Sequence, residues 1–200
     1  MHVYINDREV GALEVGGATV GEIIEALGVH VDPDEIVTAV ELDGVAYNAG
    51  DDDRYARRAA ASVQRLVLVT KTPAAFAESM RGELASALDV IAAKVDLVVA
   101  RFRDGADRDA NALLAALMEE LRLALVLEQQ VTTLDGVVIA AAGAPVAAVA
   151  PELLDAQERR DWSDVAALLV DGLAPALRAW SAAERAVASA GNPSGFSSTI

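Results

Sequence analysis

The stretch ALLAALMEELRLALVLEQQV, residues 112–131, decides the architecture of this chain. Its leucines recur at spacings of three and four residues, which predicts an apolar stripe along a helix. That stripe is formed by Leu114, Leu117, Leu121 and Leu125. Further apolar side chains cover most of the remaining circumference, at Leu113, Met118, Leu123, Val126 and Leu127. A helix that is apolar nearly all round is expected to be enclosed by neighbouring helices or by a partner chain.

The residues from 73 onward supply the neighbouring helices. A first helix, ending at Asp104-Gly105, is predicted by a seam at Phe76, Met80, Leu84, Ala87, Ile91, Val95, Val98 and Phe102. A third begins near Pro145, is kinked by Pro151, and turns inward Val146, Val149, Leu153 and Leu154. A fourth, with Asp161 as its cap and a bend at Gly172 and Pro175, has a seam at Trp162, Ala166, Leu169, Leu173, Ala176 and Trp180. Short connections predict an antiparallel bundle of about four helices over residues 73–190, followed by a flexible tail at 191–200.

Residues 1–72 show a different pattern, with short runs of strand-forming residues. Strands are predicted at residues 2–5, 9–15, 36–42, 45–47 and 63–69. Thr19 and Glu22 predict a capping box for a short helix that ends at Gly28, a residue that can adopt the left-handed conformation. Asp43-Gly44 predicts a tight hairpin turn, and residues 51–61 one or two helical turns. The expected fold is therefore α+β, with two halves that fold separately and join near residues 71–74.

The order of these elements, with the phrase TVGEIIEALG at residues 19–28, resembles the β-grasp or ubiquitin-like fold, most closely its bacterial sulfur-carrier type. The resemblance covers residues 1–72 and implies a fold without a function. Carriers of that family end in a flexible Gly-Gly whose carboxylate is activated. Here the last strand continues through Lys71-Thr72-Pro73, and the sequence ends in SSTI. We therefore expect no conjugation chemistry at the end of this chain.

Two further resemblances concern the helical half. The segment DWSDVAALLVDGLAPALRAW, residues 161–180, resembles the C-terminal helix of uncharacterised two-domain bacterial proteins. The acidic, helical composition is similar to that of small chaperones of bacterial flagellar and secretion systems. Neither resemblance implies a chemical activity.

Composition and charge restrict the classes of partner. The net charge is −15 and the pI is near 4.4, which argues against nucleic acid and anionic lipid as partners. The chain has no cysteine, so disulfides and thiolate sites are excluded. Its first residues lack a secretory pattern, and its longest uncharged run, residues 136–151, is too short to span a bilayer. We expect a cytoplasmic protein.

Candidate reactive residues are few, and each has a structural explanation. Asp51-Asp52-Asp53 lacks the spacing of a calcium loop, and His2 and His30 lie in different elements. The glycines of residues 16–21 are not followed by the lysine of a phosphate-binding loop. Ser194 does not match a nucleophile pattern. The expectation is therefore no catalytic residue and no metal, nucleotide or redox cofactor.

Trp162 and Trp180 are the strongest candidates for binding energy, because tryptophan is enriched at interface hot spots. Eighteen residues make five helical turns, so both lie on one helix face. They either fill the bundle core or, with Leu169 and Leu173, line an apolar groove or homodimer face. The expected function is a non-enzymatic protein-binding module, adaptor-like or chaperone-like, whose partner is another protein or a second copy. The alternatives are a structural subunit completed by homo-oligomerisation and an enzyme with an unrecognised carboxylate pair.

Overall fold

The structure, a computed structural model, describes residues 1–12, 18–48, 55–137, 139 and 143–190. The chain divides into two compact units, Met1–Phe76 and Ala77–Ile200. The boundary expected from the sequence, between residues 72 and 73, lies close to this division. The described chain is α+β: a mixed five-stranded sheet with one α-helix comes first, and helical segments follow.

The first unit is built on a sheet with strand order β2-β1-β5-β3-β4. Its elements are β1 (His2–Ile5), β2 (Arg8–Ala12), α1 (Val20–Leu27), β3 (Ile36–Leu42), β4 (Val45–Asn48) and β5 (Arg65–Lys71). The two central strands β1 and β5 are parallel, with Val3 opposite Leu66, and the other pairs are antiparallel. Short 3₁₀ turns lie at Gly28–His30 and Ala60–Ser62. The last strand therefore begins two residues later than the sequence predicts.

Helix α1 is fixed by its predicted capping box, which is confirmed. The Thr19 hydroxyl accepts the backbone N–H of Glu22 at 3.3 Å, and the Glu22 carboxylate accepts the backbone N–H of Thr19 at 2.7 Å. Both interactions satisfy N–H groups that a helix start leaves free. The helix then contributes its apolar face to the core of this unit, which contains Val3, Ile5, Val20, Ile23, Leu27, Val40, Leu42, Ala60, Val63, Leu66 and Leu68.

The two glycine predictions of this unit have different outcomes. The hairpin turn is confirmed, with φ of 52° at Asp43 and 85° at Gly44, the left-handed values that such a turn requires. Gly28 follows the end of the helix as predicted but does not use the left-handed conformation open to it, because its φ is −52°. The chain continues from α1 into a right-handed 3₁₀ turn and becomes extended only at Val31, so no left-handed residue is needed.

The second unit consists of long helices with short connections. They are α2 (Pro73–Arg103), whose first turn lies in the first unit, α3 (Asp107–Asp135), α4 (Ala144–Glu158), α5 (Trp162–Ala167), a π-helical segment (Leu168–Leu173) and α6 (Ala174–Ala190). The predicted fourth helix is thus interrupted by the π-helical segment, where Gly172 and Pro175 predicted a bend. The predicted N-terminal cap is confirmed, because the Asp161 carboxylate accepts the backbone N–H of Asp164 at 3.1 Å.

Side-chain contacts show that neighbouring helices are antiparallel. Arg81 near the start of α2 binds Asp135 at the end of α3, and Lys94 binds Glu120 further along both helices. Phe102 at the end of α2 stacks on Trp162 at the start of α5. The Gln157 amide donates to Asn111, which joins the end of α4 to the start of α3. The buried core of the bundle includes Leu84, Leu88, Ile91, Val95, Leu114, Leu117, Leu121, Leu153, Leu169, Leu173, Leu177 and Trp180.

The π-helical segment adds one residue to a turn of the last helix. The backbone N–H of Ala174 donates to the carbonyl of Leu169, five residues earlier instead of four. The predicted seam runs on from Leu173 through Ala176 to Trp180, and Trp180 is buried. The other buried positions of α6 are Ala174, Leu177, Ser181 and Glu184, so a carboxylate lies inside the bundle.

Three burial predictions for the bundle are wrong. Helix α3 is not enclosed, because Leu123 and Val126 are 54% and 45% exposed. Ala87 and Leu154 also lie on the surface. The neighbours of α3 that the contacts identify, α2 and α4, leave an outward side uncovered. The expectations for residues 13–17, 51–54, 140–142 and 191–200 lie outside the described part of the chain.

Candidate functional site

The outward side of α2 and α3 carries a second set of residues spaced by three and four. We call it the outer face; its members on α2 are Ala87, Val90, Lys94, Leu97 and Arg101, and on α3 Ala116, Glu120, Leu123, Leu127 and Gln130. Val90 is 56% exposed and Leu97 is 48% exposed. A helix pair that displays one apolar stripe inward and another outward has more apolar surface than its own core uses.

The outer face is concave. A groove of about 380 Å³ runs between the two helices, lined by Leu84, Ala87, Val90, Ile91, Lys94, Glu120, Leu123, Ala124 and Leu127. Leu84, Ile91 and Ala124 are buried and form its floor. The Lys94 ammonium meets the Glu120 carboxylate at 2.5 Å, so a neutral ion pair bridges the groove. Such a surface combines apolar ridges with one balanced pair of charges.

A second feature of this unit is a buried cation, Arg81 on α2. Its guanidinium donates to both carboxylate oxygens of Asp135, at 2.9 and 3.0 Å, and to Glu184 on α6 at 2.8 Å. It also donates to the backbone carbonyl of Val137 at 2.9 Å. The Arg81 and Glu184 side chains are 1% and 0% exposed. We call these three side chains the Arg81 network; it connects α2, α3 and α6.

The surroundings of the Arg81 network are polar and fully paired. The indole N–H of Trp180 donates to the second carboxylate oxygen of Glu184 at 3.1 Å. Across the described residues, every buried side-chain nitrogen or oxygen has a hydrogen-bond partner. Burial tends to raise the pKa of Asp135, but hydrogen bonds from Arg81 and from the Val137 N–H outweigh it and lower that pKa. Asp135 is therefore held in its ionised form beside Arg81.

Glu128 on α3 lies beside this network and has the opposite behaviour. Burial raises its pKa first, and the negative charge of Glu184 raises it further. The Gly143 backbone N–H and the charge of Arg81 act in the other direction but do not cancel the effect. The fit is close, because a Cβ atom on Gly143 would lie 2.7 Å from a carboxylate oxygen of Glu128, so a larger residue there would displace the end of this side chain.

The two shifted carboxylates predict opposite pH effects on stability. Glu128 holds its proton more tightly when folded, so its contribution is complete below its ordinary pKa of 4.5 and is lost as the pH rises from there through the folded pKa. Asp135 contributes above its ordinary pKa of 3.8, and that contribution is lost as the pH falls through its lowered folded pKa. We expect Glu128→Gln to remove the decline above pH 4.5 and to raise stability at pH 7. Urea unfolding at a series of pH values measures this, and destabilisation by Glu128→Gln at pH 7 would contradict it.

The Arg81 network has a structural role and is not placed to act on a substrate. A catalytic acid or base must come within hydrogen-bond distance of a substrate. Arg81 and Glu184 have no exposed surface from which to do so. The sequence does not reveal the network, because Arg81 is 54 residues from Asp135 and 103 residues from Glu184. One local signal was available: Arg81 lies three residues before Leu84 of the predicted seam, on the same side of the helix.

The four residues expected to line a binding face are not on the surface together. Leu169, Leu173 and Trp180 are buried, with Trp180 at 1% exposure. Trp162 is half-buried, and its ring stacks on Phe102 with a centroid distance of 5.2 Å and an angle of 17°. The alternative placement, in the bundle core, matches this burial for three of them. Large exposed apolar side chains lie instead on the outer face of α2 and α3.

Trp162 also borders a cleft at one end of the bundle. The cleft has a volume of about 520 Å³ and is lined by Phe102, Arg103, Trp162, Ser163, Ala166, Ala167, Val170 and Asp171. Both rings of the stacked pair reach it, together with one basic and one acidic side chain. Of these residues, the sequence predicted only Ala166 on the same helix face as Trp162.

The sequence also predicts no metal site and no membrane-spanning segment. Within the described residues, no group of three or more His, Asp or Glu side chains is arranged to hold a metal ion. His2 pairs with Glu9 at 3.0 Å. One described stretch, Trp162–Ala190, is long and apolar enough to cross a membrane by length and composition alone. A core helix passes the same test, and this one buries Leu169, Leu173 and Leu177 inside the bundle.

Comparisons with known proteins add no family to these observations. No protein-family model matches the sequence, and neither curated proteins nor solved structures give a match.

Proposed function

We propose that this chain is a non-enzymatic protein–protein interaction module whose helical unit binds a helical partner on the outer face. The observation that carries the proposal is the exposure of large apolar side chains on two antiparallel helices, at Val90, Leu97 and Leu123. Apolar surface that is grouped in this way marks interaction sites more often than scattered single residues do. A groove between two helices accepts an amphipathic helix with apolar anchors at spacings of three and four.

The first unit supports an adaptor-like organisation. Its sheet order, its central parallel pair and its single capped helix are compatible with a β-grasp domain, which we propose as its fold. That fold alone implies no activity. The chain would thus join a ubiquitin-like head to a helical binding unit, and we propose that it works in the cytoplasm.

The enzyme alternative has less support. Its best observation is the group of carboxylates around Arg81, including Glu128 with its raised pKa. A perturbed acid in an accessible cleft would favour catalysis. Here the central pair is closed to substrate, and its hydrogen bonds are internal.

A site-specific cross-link tests the proposal. Because the chain has no cysteine, Leu123→Cys on the outer face and Leu154→Cys on α4 each provide a single attachment point for a photo-cross-linker. Both leucines are exposed to a similar degree, at 54% and 58%. In a lysate of the native source, we expect protein adducts at position 123 and not at 154. Unlabelled wild type should compete for them, and Leu123→Glu should not.

Two results would contradict the proposal. One is the absence of any protein adduct at position 123. The other is equal adduct formation at positions 123 and 154, since general stickiness of exposed leucine would explain it.

A further inference from the structure

We propose that the partner on the outer face is a second copy of this chain. The inference rests on the proposed function and specifies its partner. In the assembly, a two-fold axis runs parallel to the helices, so that α2 of each copy packs on α3 of the other. Four helices, two from each copy, then enclose the two outward stripes as they would in a four-helix bundle.

The first argument is charge. The middle of the outer face carries one ion pair, Lys94 on α2 and Glu120 on α3, at the same height along the two helices. Rotation about an axis parallel to the helices keeps that height and exchanges left with right. Lys94 then faces Glu120 of the second copy, and Glu120 faces its Lys94. A two-fold axis across the helices at this level would place like charges opposite each other, which costs binding energy.

The second argument is the fit of apolar side chains. Val90 lies one turn from Lys94, and Leu123 lies one turn from Glu120 in the same direction, because α2 and α3 are antiparallel. The same rotation therefore brings Val90 level with Leu123 of the second copy. On the other side of the ion pair, Leu97 comes level with Ala116, a large side chain opposite a small one. Residues spaced by three and four on both partners allow knobs-into-holes packing.

The third argument is area. α2 has 31 residues and α3 has 29, so each helix is about 45 Å long. Two such helices with axes about 9 Å apart present a face about 20 Å wide, or about 900 Å². Stable interfaces bury about 800 Å² on each partner. The polar side chains Arg101 and Gln130 lie toward the ends of the two stripes, where an interface has its rim.

Charge exchange in full-length protein tests the inference. Analytical ultracentrifugation should give wild type twice the mass of one 20.8 kDa chain. Lys94→Glu and Glu120→Lys each create two like-charge contacts, so each should weaken dimerisation by about tenfold or more. The double variant Lys94→Glu/Glu120→Lys restores both opposite-charge contacts and should dimerise again. An equimolar mixture of the two single variants should do the same.

Two controls distinguish a lost interface contact from general surface effects and from misfolding. Leu154→Glu changes an exposed leucine of α4 and should leave the dimer intact. Circular dichroism should show unchanged helix content in every variant, because Lys94 and Glu120 are both partly exposed. A double variant that stays monomeric would overturn the inference, and so would a dimer that ignores both single substitutions.

The results that exclude the homodimer differ from those that exclude the proposed function. If wild type is monomeric while a different protein cross-links at position 123, the second copy is excluded and the interaction module stands. If wild type is monomeric and position 123 forms no protein adduct, both are excluded.

Discussion

Replacing Arg81 by leucine is expected to lower the free energy of unfolding by about 3–5 kcal/mol, because removing one partner of a buried ion pair leaves an uncompensated charge in a dry environment. The substitution removes four hydrogen bonds: two to Asp135, one to Glu184 and one to the Val137 carbonyl. Glu184 is affected most, since its side chain is wholly buried and only the Trp180 N–H would remain to it. Urea or guanidinium unfolding followed by circular dichroism measures the change.

A surface pair on α3 provides the matched control. Arg122 also binds a carboxylate through two nitrogens, that of Glu119 at 2.9 and 2.7 Å. Both partners are more than half exposed and their attraction is screened by water, so Arg122→Leu should change stability far less than Arg81→Leu. Equal effects of Arg81→Leu and Arg122→Leu would show that the buried network does not stabilise the fold.

A variant that also removes the charge of Glu184 tests the cause of the lost stability. In Arg81→Leu/Glu184→Gln, the buried carboxylate of Glu184 is replaced by a neutral amide. We expect this double variant to be more stable than Arg81→Leu alone, because an unpaired charge costs more to bury than an amide. If the second substitution adds a further loss instead, lost packing and not buried charge is the main cause.

Local signals in the sequence predicted most of the first unit. The Thr19–Glu22 capping box and the Asp43-Gly44 turn depend on residues within four positions of each other, so their chemistry is visible in the sequence. The strand at Ile36–Leu42 also has its predicted bounds. Gly28 is right-handed in the structure, because a glycine permits the left-handed conformation without requiring it.

The helical unit shows where periodicity stops being informative. Spacing by three and four identified the apolar stripes of α2 and α3, but it does not say which of two stripes faces the core of the same chain. Leu114 and Leu121 turned inward, whereas Leu123 and Val126 turned outward. The sequence predicted that the helices carry more apolar surface than one bundle needs. It did not predict where the excess lies, because that depends on which sides of the helices α4 and α6 cover.

The Arg81 network depends on pairings between helices that no sequence repeat contains. Glu184 lies four residues after Trp180 on the inward side of α6, but its partner Arg81 is 103 residues away on α2. Gly172 and Pro175 predicted irregular geometry in the last helix without its type, which is the π-helical segment at Leu168–Leu173. Proline lacks the N–H of a regular helix, and glycine lowers helix stability, so both tolerate a widened turn.

The second large effect is expected at Trp180, where substitution separates a core role from an interface role. Trp180→Ala removes an indole that is 1% exposed and leaves one oxygen of Glu184 without its donor. Loss of a buried tryptophan costs about 3–5 kcal/mol. Trp180→Phe should cost less, because it keeps most of the ring volume and loses only the hydrogen bond. Thermal unfolding compares these variants with wild type.

Trp162→Ala is the matched variant at the other end of the same helical stretch. Its ring is half-buried and stacks on Phe102, so we expect a loss of about 1–2 kcal/mol, smaller than that of Trp180→Ala. Neither variant should change the mass in solution at temperatures where it stays folded, because neither residue belongs to the outer face. A Trp180→Ala protein that keeps its melting temperature but loses its association would contradict both the core placement and the position of the outer face. In that case the interface would include the face of Trp162, Leu169, Leu173 and Trp180, reached by an opening of the bundle.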